Sequence, residues 1–201
     1  MAGTRPLRRD AALNRERVLA AAGQVFDTQG LDASVADVAR VAGVGMGTLY
    51  RRFPTKEALI EALVEDMLEA AIRMAREAAA EPGGTGLEHF LRAHAAYLAE
   101  HPGCLPKLWT VDHELVRTVR QLIAQLLADA KRHGQVREDL ASTDVTMVTW
   151  SIRGVLEATR DVAPNAWRRH LDLLIAGMRP GTGPLAHRPV AQATMDQILT
   201  R

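Results

Sequence analysis

Between positions 48 and 56 the chain reads TLYRRFPTK, placing a hydroxyl, a phenol, two guanidiniums and an ammonium on one short stretch: Thr48, Tyr50, Arg51, Arg52 and Lys56. All five donate hydrogen bonds, and the planar fork of arginine matches phosphate oxygens or the acceptor edge of guanine. This is equipment for holding an anionic polymer and not for breaking bonds. Arrangements that would break bonds are not readable elsewhere. His89 and His94 stand five apart, on different faces of a helix, unlike the i, i+4 pair of a zinc site. Asp112, His113 and Glu114 are neighbours in sequence, and neighbours point in different directions on a helix. There is no Cys-x-x-Cys, Walker loop, dinucleotide fingerprint or G-x-S-x-G elbow. The expectation is a non-enzyme with no catalytic residue, no metal and no cofactor.

The donors need a scaffold, and the residues before them describe one. Ser34 can cap a helix, with Asp37 three residues on as a short version of the capping box. Val35, Val38, Ala39 and Ala42 follow at i, i+3, i+4 and i+7, the pattern of a one-faced helix. Gly43 supplies a sharp turn, and a second short helix runs from about Gly45 to Phe53 with Leu49 and Phe53 inward. Two short helices joined through a glycine are a helix-turn-helix unit, here over 34–53. Ala39 is small enough for close crossing, and Leu49 plugs the gap between the helices.

The runs VADVARVAGV and TLYRRFPTKEAL, within about Asn14 to Leu68, resemble the DNA-binding domain of the TetR family of transcriptional regulators. The resemblance implies an all-α chain of about nine helices, with a larger antiparallel helical regulatory domain behind the head. It also implies a homodimer, a double-stranded operator, release by a small-molecule effector and, most simply, a repressor. An activator, or a ligand- or protein-binding module of the same fold without DNA binding, is the alternative. The candidate DNA contacts are Ser34, Val35, Gly45, Met46, Gly47, Thr48, Tyr50, Arg51, Arg52 and Lys56. At Gly45 the family usually has a serine cap, and at Met46 a lysine, arginine or proline is frequent. One phosphate contact is therefore missing at 46, and an apolar side chain stands in its place.

Composition agrees with this reading. Hydrophobic residues make up 47% of the 201-residue chain, yet only eight residues are Phe, Trp or Tyr, so the core is aliphatic, as helix packing favours. Prolines fall between the helical patterns, and no β-type alternation appears. Residues 1–56 hold nine Lys/Arg against five Asp/Glu, and the remainder holds 16 against 19. A basic front on a mildly acidic body suits a nucleic-acid module with a regulatory domain behind it. The one cysteine, Cys104, permits no internal disulfide. No run approaches the ~20 apolar residues of a bilayer span. The expectation is a cytoplasmic protein with no membrane partner.

In chain order, residues 1–11 carry Arg5, Arg8 and Arg9 and read as a basic flexible arm, followed by a DNA-binding domain over 12–56 whose first helix starts near Leu13 or Asn14. An effector-binding and dimerisation domain follows over 57–179, then a tail over 180–201. Within the regulatory part, Leu87, Phe90, Leu91, His94 and Leu98 mark one helical stripe, and a short helical piece is expected around Pro106 to Thr110. Tyr97, Trp109, His113, Met147, Trp150 and Arg153 are large or polar groups on core-facing stripes and are the candidate lining of an effector pocket. The helix over 142–160 has two apolar stripes. The last long helix carries Trp167, Leu171, Leu174 and Met178 at 4-3-4 spacing, a helix–helix seam. With Val148, Ile152 and Val155 these are the candidate dimer contacts, on the helices that the family resemblance assigns to dimerisation.

Overall fold

The computed structural model describes residues 5–101, 114–181 and 183–199, with side chains from Leu13 to Ile198. The described residues form α1 (Arg5–Gln29), α2 (Val35–Ala42), α3 (Met46–Arg52), α4 (Lys56–Ala78), α5 (Gly86–Glu100), α6 (Glu114–Arg132), α7 (Ser142–Thr159), α8 (Ala166–Met178) and α9 (Gln192–Leu199), with a 3₁₀ turn at Pro82–Gly84 and no strand. The class is all-α, as composition and periodicity predict. The short helical piece expected at 106–110 lies outside the described residues.

The described residues up to Met67 form one compact unit and those from Leu68 onward a second. In the first, α1 buries Val18, Leu19, Ala22, Val25 and Phe26, while α2 buries Val38, Ala39 and Ala42. Leu49 and Phe53 complete this core from α3 and its end, as Leu59 and Leu63 do from α4. That burial carries the unit past the boundary at residue 56 read from the sequence. Helix α1 begins at Arg5, so the stretch expected as a flexible arm is helical from there on. Pro6 is tolerated in a first turn, where its missing N–H has no intrahelical partner, and Leu, Arg and Ala after it favour helix.

The second unit is an antiparallel set of helices around Leu87, Phe90, Leu91, Leu126, Leu127, Val145, Ile152, Trp167 and Leu171, all buried. At Gly86 a Cβ would run into the Ala78 carbonyl oxygen. Only a residue without a side chain lets the start of α5 meet the end of α4 there. Thr55 caps α4, its Oγ1 accepting from the Ala58 N–H at 3.1 Å. Asp144 closes the start of α7 by accepting from the Ala141 N–H at 2.8 Å.

Candidate nucleic-acid interface

The helix pair is built as its residues dictate. Ser34, in extended backbone, accepts from the Asp37 N–H at 3.1 Å and donates to Asp37 Oδ2 at 2.7 Å. The Ser34 hydroxyl, then the Arg40 guanidinium, hold the Asp37 carboxyl below its ordinary range. At the other end Gly43 adopts φ 65°, ψ 36°, the left-handed region open to glycine at no cost, and its N–H bonds back to the end of α2. Ala42, the last residue of α2, would have an unpaired carbonyl. Arg17 of α1 takes it, Nη2 donating to Ala42 O at 3.1 Å. That guanidinium also lies 3.3 Å from where a Cβ on Gly43 would be.

On α3, Leu49 is fully buried and Phe53 follows inward. At about 100° per residue, the position opposite these two belongs to Arg51, flanked by Gly47 and Thr48. Arg51 Nη2 donates to Thr48 Oγ1 at 3.2 Å, which holds the guanidinium along the outer face. Met46 and Tyr50 form an apolar flank, 38% and 45% exposed, and Arg52 stands on the other flank. Gly45, Gly47, Thr48, Arg51, Arg52 and Ser34 are exposed, whereas Val35 and Lys56 are half-buried. Nothing lies within 4 Å of a Cβ placed on Gly45 or Gly47, so the start of α3 is a slim edge. The structure thus brings nine of the ten expected DNA-contacting positions, all but Lys56, onto α2, α3 and their caps, and starts α4 with Lys56. Arg17 is the residue that pattern reading missed. It sits just before the buried stripe of α1, but a partner 25 positions away carries no sequence signal.

In the second unit the other expected sets divide. Tyr97 is on α5, half-buried and stacked on His101 at 4.2 Å between ring centroids. Trp150 and Arg153 are half-buried on α7, with Arg153 Nε donating to Glu157 at 2.9 Å, and Met147 is 45% exposed. Trp109 and His113 lie outside the described residues. A cavity of about 20 Å³ near the start of α5, lined by Leu87, Leu91, Ala130, Ile175 and Met178, has room for about one water and includes none of them.

The seam of α8 turns inward. Trp167, Leu171 and Met178 are 3%, 1% and 7% exposed within the single chain, joined by Ile175, while Leu174 is only half-buried. Three of the four seam residues are therefore core of the single chain, and Met178, with Ile175, shares the small cavity with Leu87 and Leu91 of α5 and Ala130 of α6. On α7, Ile152 is buried and Val148 and Val155 are half-buried. What remains open is the second stripe: Met147, Gly154 and Ala158 on α7, beside Leu173 and Gly177 on α8. His170 and Ser151, 3.2 Å apart, join the two helices at that edge.

Among the described residues no three His, Cys, Asp or Glu side chains gather as a metal site, and no helix is long and apolar enough to cross a membrane. Residues 18–63 match the family "Bacterial regulatory proteins, tetR family", and residues 81–180 match "Transcriptional regulator SbtR-like, C-terminal domain". The fold is similar to that of a TetR transcriptional regulator, SCO0520, from Streptomyces coelicolor, at 31% identity and TM-score 0.63, over 84% of this chain and 99% of that one. A TetR transcription regulatory protein from Mycobacterium vanbaalenii is similar at 33% identity and TM-score 0.63, over 87% of this chain and 99% of that one. An uncharacterized HTH-type transcriptional regulator of Bacillus subtilis, YvdT, is 44% identical over 54 residues, which are 26% of this chain and 28% of that relative's length. These relatives are transcriptional regulators and not enzymes, and the chain belongs to the TetR family of helix-turn-helix DNA-binding regulators.

Proposed function

We propose that the chain is a homodimeric, cytoplasmic repressor that binds a pseudo-palindromic operator and leaves it when a small molecule occupies the second unit. The observation that carries the reading is the outer face of α3, where Arg51, braced by Thr48, stands opposite the buried Leu49 and Phe53. On insertion into a major groove, that face meets base edges first. Arg51 and Thr48 read bases. Tyr50, Arg52 and Lys56 position the backbone, and Ser34, with its hydroxyl engaged by Asp37, contributes mainly through the helix it caps. Gly45, Gly47 and Val35 let the backbone come close, and Met46 adds apolar contact.

Two heads are needed to read two half-sites. The open stripe of Met147, Gly154 and Ala158 with Leu173 and Gly177 supports pairing of α7 and α8 with their symmetry mates. Its small residues allow close helix approach, and Val148, Val155 and Leu174 sit at its margins. An effector that binds the two head spacings unequally shifts the population away from the DNA-competent one. Tyr97, Trp150 and Arg153, with Trp109 and His113, remain the groups proposed to meet it. An activator would use the same contacts. A module without DNA binding would have no use for the exposed Thr48, Tyr50, Arg51 and Arg52 together.

The test is selection of bound sequences from a random duplex pool with the purified full chain. Enrichment of an inverted repeat with half-sites about 34–36 Å apart, or a multiple of that, is the expected result. A pool that stays random after repeated rounds would end the operator reading.

A further inference from the structure

Leu49 and Phe53 pack the reading helix into its unit, and a side chain outside the helix-turn-helix also reaches the turn before it. Helix α2 ends at Ala42, and its last carbonyls form the negative end of the helix dipole. Gly43 closes part of that end, and Val44 N–H donates to Ala39 O at 3.0 Å. The Ala42 carbonyl is taken by a cation from another helix, Arg17 of α1, at 3.1 Å. The same guanidinium covers Gly43 so closely that an added methyl would meet Nη2 at 3.3 Å. The turn between α2 and α3 is therefore held from both sides: from within by the left-handed Gly43, and from α1 by Arg17.

We infer that Arg17 is a positioning residue for DNA reading, one that locks the turn so that α3 enters the groove at the angle its base contacts require. This rests on the operator-binding reading above. It assigns a basic residue of the head to a carbonyl of the protein and not to a phosphate. Loose turns and misaligned phosphate contacts have different signatures, and these make the role measurable. Non-specific binding depends on charge and tolerates a change of helix angle. Base reading does not, because hydrogen bonds to base edges need heavy-atom distances near 3 Å.

The experiment compares the wild-type chain with Arg17→Met, which keeps the apolar stem, and Arg17→Lys, which keeps the charge and an N–H donor group. Each is titrated with its selected operator and with a scrambled duplex across a salt series, at a temperature where circular dichroism shows all three fully folded. For Arg17→Met, the ratio of specific to non-specific affinity is expected to fall about tenfold, the usual net worth of one such hydrogen bond. Its non-specific affinity and salt slope should match the wild type, and Arg17→Lys should recover part of the ratio. A fall in both affinities, with the salt slope reduced by about one, would overturn the inference by making Arg17 a phosphate contact. An unchanged ratio, or an equal loss on both duplexes with the slope intact, would overturn it too, leaving only a stabilising role. If the wild type itself shows no preference for any duplex, the operator reading has failed, and that outcome is separate from all of these.

Discussion

Arg51 and Lys56 share a charge but not a setting, and the difference supports the separate roles proposed for them. Arg51 lies at the centre of the outer face of α3, held by Thr48, while Lys56 is half-buried at the start of α4. Replacing Arg51 with alanine should cost about 1–3 kcal/mol at the operator and relax preference at one base pair. Replacing Lys56 with alanine should weaken binding evenly across sequences and flatten the salt slope by about one. Binding titrations on matched and mismatched duplexes separate the two, and the reverse pattern would exchange the roles. A second residue sets a pH dependence. His94 is buried, stacks on Phe90 at 5.3 Å, and is pulled down to about 4 by that burial. The unfolded imidazole, titrating near 6.5, takes up a proton that the folded one refuses. This part of the stability is thus fully present above about pH 7.5 and falls as pH drops toward 4, by about 2 kcal/mol between about pH 7.5 and 5. Urea unfolding at the two pH values should show that loss, and His94→Phe should flatten it. An equal slope in the variant would move the effect to other groups.

At the level of elements, what the sequence makes legible depends on how local the cause is. The α2–turn–α3 unit can be read because all but one of its causes lie within a few residues: the Ser34–Asp37 cap, the 3–4 spacing of valine and alanine, and a left-handed Gly43, with the distant Arg17 as the exception. Helix α8 is legible as a helix and in phase at Trp167, Leu171 and Met178, but not at 174. Leu173, Leu174 and Ile175 are consecutive, so Trp167 and Leu171 can continue through 174 or through 175 with equally good helical spacing, and the fold buries Ile175. Nor does an apolar seam say whether its partner belongs to the same chain. The start of α1 was obscured by Pro6 and three arginines that look like a loose arm.

The tail gave the weakest signal of all. Beyond α8 it is tied to the α6–α7 connection, with Arg137 donating to Gly183 O at 2.6 Å and Leu185 N–H to Asp139 at 2.6 Å. The Arg137 guanidinium and then the Leu185 N–H hold the Asp139 carboxyl down at about 2. Further on, among the described side chains of α9 only Met195 is buried, at 1% exposure, and Asp196 pairs with Arg120 at 2.8 Å. The buried thioether should dominate. Met195→Ala is expected to lower stability by about 2–4 kcal/mol, against about 1 kcal/mol or less for Arg120→Ala, whose pair is exposed to solvent. Denaturant midpoints of the two variants decide it, and the opposite order would mean that the ion pair holds the tail.

For the whole molecule, the proposed function requires two copies, because one α3 spans only one half-site. The open stripe on α7 and α8 places that requirement on particular residues. Leu173, 58% exposed in the single chain, should tolerate polar substitution in folding but not in pairing. Leu173→Glu is therefore expected to give a folded monomer in analytical ultracentrifugation with operator affinity reduced at least tenfold, whereas a dimer of wild-type strength would exclude this face. The most direct test of the central claim is a gel shift of the wild-type chain on fragments of its own genomic neighbourhood at two salt concentrations. The account predicts a discrete band of dimer size on one or a few fragments that persists at the higher salt. A smear on every fragment that disappears with salt would contradict it, since contact with DNA would then be electrostatic alone.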